Sequence, residues 1–172
     1  MEIFAEIIEY PHPYGNPPKC FRNSENALNH YPVFVKFNLG KKQIEYEFEG
    51  CFTDFSMIRK HPMKDYFIII AKGEGYLFDP YNENVLSNFA GDICGAKEIS
   101  EEQIIFYSCT SIFSFGIYEW DSKRLSIDGL DKFANNGNIL VCEAYNPMSD
   151  GWNEFSLDLA SGKVISGYNC PF

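Results

Sequence analysis

Basic side chains are scarce in this sequence: fourteen Lys and Arg stand against twenty-four Asp and Glu, a formal net charge of −10 over 172 residues. A surface of that sign repels phosphate backbones and anionic lipid headgroups, which argues against nucleic-acid and membrane partners. Long apolar runs are missing too. The longest, Phe67-Ile68-Ile69-Ile70-Ala71, falls far short of the roughly 20 residues a membrane helix needs. The opening MEIFAEIIEY carries Glu2, Glu6 and Glu9, and no basic residue precedes Lys19. It lacks the positive n-region of a secretory signal, so a cytoplasmic protein is expected.

The usual marks of catalysis and metal binding are also absent. There is no C-x-x-C and no H-E-x-x-H, and His12, His30 and His61 are scattered, so no metal or cofactor is expected. His12 lies in a proline-rich loop and His61 at an expected helix end, where an exposed imidazole is the default. No G-x-S-x-G elbow occurs. Cys94 is the one cysteine in a plausible exposed turn, and it has no neighbouring base to activate it. In Lys72-Gly73-Glu74-Gly75 the acid would repel a phosphate, and a tight hairpin explains both glycines. The acid pairs Glu119/Asp121 and Asp128/Asp131 are close in sequence, but solvated turns account for them. No enzyme is expected. The six cysteines, Cys20, Cys51, Cys94, Cys109, Cys142 and Cys170, are widely spaced and are expected as free, mostly buried thiols of a reducing compartment.

Aromatic residues are abundant instead, with sixteen Phe and eleven Tyr. They fit pleated surfaces, so the expected fold is mainly β in one domain spanning the chain: antiparallel meanders arranged as a partial propeller, sandwich or open barrel, with one or two short helices. Residues 1–60 are expected to hold a hairpin and a short helix. In the hairpin, Val33–Phe37 pairs with Gln43–Glu49, and the second arm alternates Ile44, Tyr46 and Phe48 inward with Glu45, Glu47 and Glu49 outward into water. Thr53–Lys60 is the best helix candidate, capped by Thr53 or Asp54 and ended by Pro62; Ser24–Leu28 and Glu98–Gln103 are at most single turns. Residues 66–168 are expected to form three successive meanders. Their strands are Tyr66–Ala71, Gly75–Asp79 and Val85-Leu86; then Ile104–Cys109, Ile112–Trp120 and Leu125–Gly129; then Ile139–Ala144, Trp152–Leu159 and Lys163–Ser166. Equivalent strand ends fall about forty residues apart, the spacing of propeller blades.

The last third carries the most distinctive text. Trp120-Asp121-Ser122-Lys123-Arg124-Leu125-Ser126-Ile127-Asp128-Gly129 is followed by Ala144-Tyr145-Asn146-Pro147. Trp152-Asn153-Glu154-Phe155-Ser156-Leu157-Asp158-Leu159-Ala160-Ser161-Gly162-Lys163-Val164 comes next. Within it Phe155, Leu157 and Leu159 alternate inward, Asp158 can accept at the coming turn, and Trp120 and Trp152 are expected as core plugs. This string, covering about the last seventy residues, resembles small β-rich bacterial immunity proteins that accompany polymorphic or contact-dependent growth inhibition toxins. The resemblance implies a protein that binds and neutralises an intracellular toxin, usually a nuclease whose active site is basic.

Residues 101–172 hold ten Asp or Glu against four Lys or Arg, so the acidic excess leans toward that end. An acidic face is the electrostatic complement of a basic toxin domain. The expected partner contacts are Glu119, Asp121, Asp128, Asp131, Glu143, Asp150 and Glu154, with Tyr145 among them. The alternative is a β-domain that binds a small ligand or carbohydrate on Tyr118, Trp120, Tyr145 and Trp152. A hydrolase using an unrecognised acid pair is a third possibility.

Overall fold

The computed structural model describes residues 3–22 and 31–168. Among these residues the chain is mainly β, with sixteen strands and no helix. It divides into two compact units. One holds the described residues up to His61 together with Asp65–Ile93; the other holds Pro62–Lys64 and the described residues from Cys94 onward. Each unit contains two four-stranded sheets, and none closes into a barrel.

In the first unit, β1 (Ile3–Ile8), β2 (Lys19–Phe21), β3 (Tyr31–Leu39) and β4 (Lys42–Gly50) form a sheet in the order β1-β3-β4-β2. β2 runs parallel to β4 and the other pairings are antiparallel. β5 (Met57–Lys60), β6 (Phe67–Ala71), β7 (Glu74–Asp79) and β8 (Asn84–Phe89) form a simple antiparallel meander. The inward stripes of the two sheets share one core. Val33, Val35, Phe37, Tyr46 and Phe48 come from the first sheet, and Phe67, Ile69, Ala71, Tyr76 and Phe78 from the second. Phe78 is its hub, with ring centroids of Phe21, Phe37, Phe48 and Tyr46 at 5.3, 5.3, 5.3 and 4.9 Å. Each such ring pair adds about 0.5–1.5 kcal/mol beyond the burial of area.

The β3–β4 hairpin forms as its alternation predicts, but the outer face of β4 is not wholly wet. Glu49 is buried, while Glu45 accepts a bond from the His12 backbone N–H (2.8 Å) and Glu47 one from the Cys20 thiol (3.2 Å). The proline-rich segment after β1 folds back over that face. The expected helix at Thr53–Lys60 is instead a bend followed by β5. The Thr53 hydroxyl does accept the Phe55 N–H (3.2 Å) as a cap would. Beyond it, pairing with the edge of the fully buried β6 satisfies the backbone, which a two-turn helix does poorly in isolation. His61, expected in water, is 1% exposed and packs on Tyr66 at 4.7 Å.

In the second unit, β9 (Gly95–Ser100), β10 (Gln103–Tyr107), β11 (Ile112–Gly116) and β12 (Trp120–Asp121) form one meander. β13 (Leu130–Asn136), β14 (Ile139–Asn146), β15 (Gly151–Asp158) and β16 (Val164–Gly167) form the other. Ile105, Ile112, Leu125, Leu130, Leu140, Cys142, Ala144, Phe155, Leu157 and Leu159 make the core between them. The first and third expected meanders appear with a leading strand added, β5 or β13; the second differs, being β9 to β12 with Ile112–Trp120 divided between β11 and β12. The turn expected as helical at Glu98–Gln103 joins β9 to β10. Leu125–Gly129 is not a strand: the Leu125 and Ser126 N–H groups both donate to the Thr110 carbonyl, at 2.7 and 3.3 Å. Of the described cysteines, all free, only Cys142 is buried; Cys20, Cys94 and Cys109 are exposed. The thiols are therefore not mostly buried, because most fall at turns and edges. Cys170, His30 and the turn at Ser24–Leu28 lie outside the described residues.

Two outcomes follow from the first core. Phe78→Ala should lose about 3–5 kcal/mol in urea denaturation, and Phe78→Leu well under half of that, since leucine refills most of the hole. Burial, reinforced by the Glu83 charge, pushes the Tyr46 phenol from 10.0 up to about 12. The folded state holds that proton more tightly than the unfolded chain does. Its stabilisation is whole below about pH 10 and drains away between about 10 and 12. Urea midpoints measured across that range should fall less steeply in Tyr46→Phe than in the wild type.

Candidate functional site

The outward face of the last sheet gathers most of the residues that the sequence points to. Leu140, Cys142 and Ala144 of β14 and Phe155 and Leu157 of β15 enter the core. Strand period two then turns Glu143, Tyr145, Trp152 and Glu154 to the opposite face. The antiparallel register sets Glu143 opposite Glu154 and Tyr145 opposite Trp152, and β13 sets Asp131 opposite Glu143. Three carboxylates thus stand side by side across three neighbouring strands. Like charges in direct opposition destabilise a sheet.

One cation answers them. The register of β13 shifts between Asp131 and Ala134, and Lys132 adopts a left-handed backbone (φ 52) there. Its ammonium lies 3.0 Å from both oxygens of Glu143, and this bond raises the lysine's pKa. Glu154 meets no cation among the described residues.

Beside the row stands an aromatic pair. The Tyr145 and Trp152 rings lie 5.5 Å apart, and Trp152 is 49% exposed, so it is not the core plug expected. The Tyr145 hydroxyl donates to Asp150 Oδ1 at 2.5 Å, which raises its pKa, with the charges of Asp150 and Asp128 adding to the effect. Asp150 itself sits at φ 48 in the β14–β15 turn, a conformation Asp tolerates better than most residues. Gly129 (φ 152) lies under the indole: a Cβ there would come within 3.0 Å of Trp152 Cη2. Only a glycine permits both that backbone and that ring position.

Asp128, Asp131, Glu143, Tyr145, Asp150 and Glu154 therefore lie on or beside one face. Glu119 and Asp121 belong to the other sheet of this unit. Glu119 precedes β12 and pairs with Lys64 at 2.7 Å. Asp121 lies on β12 opposite Phe113, where desolvation raises its carboxyl pKa. Trp120 is a packed residue, its Nε1 donating to the Leu159 carbonyl at 2.7 Å and its ring lying against Gly162. Tyr118 is exposed in the bend before it. The four aromatics of the ligand-binding alternative are thus placed differently, and of them Tyr145 and Trp152 are in contact as a tilted pair. Lys132 carries no signal of its own in the sequence, because its role depends on the bulge, and Trp152 is exposed where its residue type pointed to the core. Trp152 lies three residues from inward-facing Phe155, so strand parity alone turns it outward.

Comparison with known protein families and with curated proteins finds no match to this chain. No helix of the described residues is long and apolar enough to cross a membrane.

Gly129→Ala should cost about 1–3 kcal/mol, from backbone strain and from displacement of the indole. Trp152 emission should shift toward that of exposed indole. In the Gly129→Ala/Trp152→Ala double variant the cost should shrink by the steric part, leaving the backbone part behind.

Proposed function

We propose that the outward face of β13–β15 docks a basic protein, and that the chain acts as an immunity protein neutralising a cationic toxin domain. The observation that carries this is the cross-strand row Asp131–Glu143–Glu154 placed beside the pair formed by half-buried Tyr145 and exposed Trp152. Repulsion along the row is a standing cost in the free protein, and a cationic partner relieves it. The rings offer the anchor: Trp and Tyr dominate the energetics of interface centres, while surrounding charges govern the rate of encounter. The string that resembles immunity proteins builds much of this same sheet. Neutralisation by such a face requires no catalysis. It covers a phosphate-binding surface with fixed carboxylates, and steering can lift association from about 10⁵–10⁶ toward 10⁸ M⁻¹s⁻¹.

An outward aromatic pair is also what a carbohydrate-binding surface uses, and the half-exposed indole of Trp152 favours that as the second possibility. The two functions separate by titration. A glycan ligand shifts Trp152 emission with little dependence on salt, whereas a basic protein binds more slowly as salt rises.

The decisive experiment is stopped-flow association with a basic, phosphate-binding nuclease toxin domain. Raising salt from about 20 to 200 mM should slow association at least about tenfold, and Glu143→Gln/Glu154→Gln should remove most of that dependence. Trp152→Ala should act chiefly on dissociation, speeding it about tenfold or more. Association that is indifferent to salt and to both carboxylates would refute the proposal.

A further inference from the structure

The first unit holds a feature of opposite character, independent of the docking face. Among the described residues β2 covers β4 only from Tyr46 to Phe48, leaving residues 42–45 of β4 without a strand neighbour there on that side. Beside this open edge lies a cleft of about 460 Å³, whose walls include His12, Lys19, Lys36, Lys42, Tyr46 and Glu83. Three of the fourteen basic residues of an acidic chain thus line one cavity.

Two details suggest a ligand. Tyr46 is wholly buried, yet its hydroxyl has no hydrogen-bond partner among the described residues. A buried phenol left without one costs about 1–3 kcal/mol, and Phe would fill the same volume without that cost. The second detail is Glu83, at the start of the turn into β8 with a left-handed backbone (φ 53). Its carbonyl accepts from Lys19 Nζ at 2.8 Å and its carboxylate from Lys42 Nζ at 2.8 Å. These lysines hold the Glu83 carboxylate pKa below its usual value, and the Glu83 charge reaches Tyr46 in turn. Lys36 is held only loosely, 3.7 Å from Glu6, and the other acid of the lining, Glu45, is engaged by the His12 N–H. The carboxylate of Glu83 therefore occupies a place where a free anion would meet the Lys42 ammonium, with the Lys19 ammonium held on the neighbouring Glu83 carbonyl and Tyr46 in the same lining.

We propose that this cleft binds a small oxyanion, phosphate-bearing by preference, through Lys19, Lys42 and the Tyr46 hydroxyl. Glu83 is its tethered stand-in, swung aside when the ligand enters. Compact ammonium charges suit phosphate, and the dimensions admit a group of metabolite size.

The test is calorimetry and amide NMR on the full chain with pyrophosphate, citrate and glucose as probes. Pyrophosphate should bind at one site with a dissociation constant below about 10 mM and shift the amides of Gly15, Gln43 and Glu83. Glu83→Gln should tighten it about fivefold; Lys42→Ala and Tyr46→Phe should each weaken it by a similar factor. Tyr46→Phe keeps the core filled, so its effect reads the hydroxyl and not the fold. Citrate binding with the same dependence on Lys42 and Tyr46 would retain the oxyanion site and assign it to carboxylates. Glucose should not bind. No saturable binding of either anion, or an affinity unchanged by Glu83→Gln and Tyr46→Phe, would overturn the proposal.

Discussion

Burial of Phe155 and Leu157 against Leu140 and Cys142 sets the register of β14 on β15, and the exposed chemistry of that sheet depends on it. Side chains alternate with a period of two, so a slip of one residue would carry Glu143, Tyr145, Trp152 and Glu154 into the core. Burying charged carboxylates there without partners costs several kcal/mol each, far more than the apolar contacts of an alternative register could return. The inward residues therefore specify the outward ones. The acidic row is as well determined as the core, although none of its members touches it.

Charge is organised on two scales in this chain. Overall it is strongly acidic, which favours solubility and discourages contact with polyanions. Locally it is patterned by geometry: a left-handed residue in β13 brings Lys132 to Glu143, and a left-handed residue in the β7–β8 turn brings Glu83 to Lys42. In both places a strained backbone positions one charge against a cluster of the other sign. Net charge describes neither site. It predicts an acidic surface everywhere and misses the lysine-lined cleft of the first unit.

What the sequence makes legible follows from the range of the interaction concerned. The alternation of Ile44, Tyr46 and Phe48 is local, and it predicts β4 and its hairpin; the hairpins β6–β7, β10–β11 and β14–β15 are equally plain from apolar runs broken by turns. Six expected contacts fall together because β13, β14 and β15 are consecutive, so closeness in sequence becomes closeness in space. Glu119 and Asp121 fall away because a second sheet intervenes in the order of strands. The segment from Thr53 to Lys60 carries real helix signals, including a hydroxyl that bonds Phe55 as a cap would. They lose to the open edge of β6, which a local pattern does not display. The cleft was invisible for the same reason: His12, Lys19, Lys36, Tyr46 and Glu83 converge only after two sheets have formed. Trp152 stands apart, since its parity with Phe155 was readable and its type, usually a buried one, obscured it.

An acidic surface that serves only solubility has no need of register. Dispersed carboxylates repel water-borne neighbours equally well and avoid facing one another across a ladder. Here three stand in direct opposition, with a single lysine among them, and the adjoining rings leave a half-exposed indole in water. Each feature is unfavourable in the isolated molecule, one through repulsion and the other through hydrated apolar surface. A cationic partner with an apolar contact of its own removes both costs at once, whereas a neutral glycan would relieve only the second. That difference favours a basic protein over a sugar on the face of β13–β15. Gly129 belongs to the same arrangement, since only its lack of a Cβ leaves room for the indole to sit where it does.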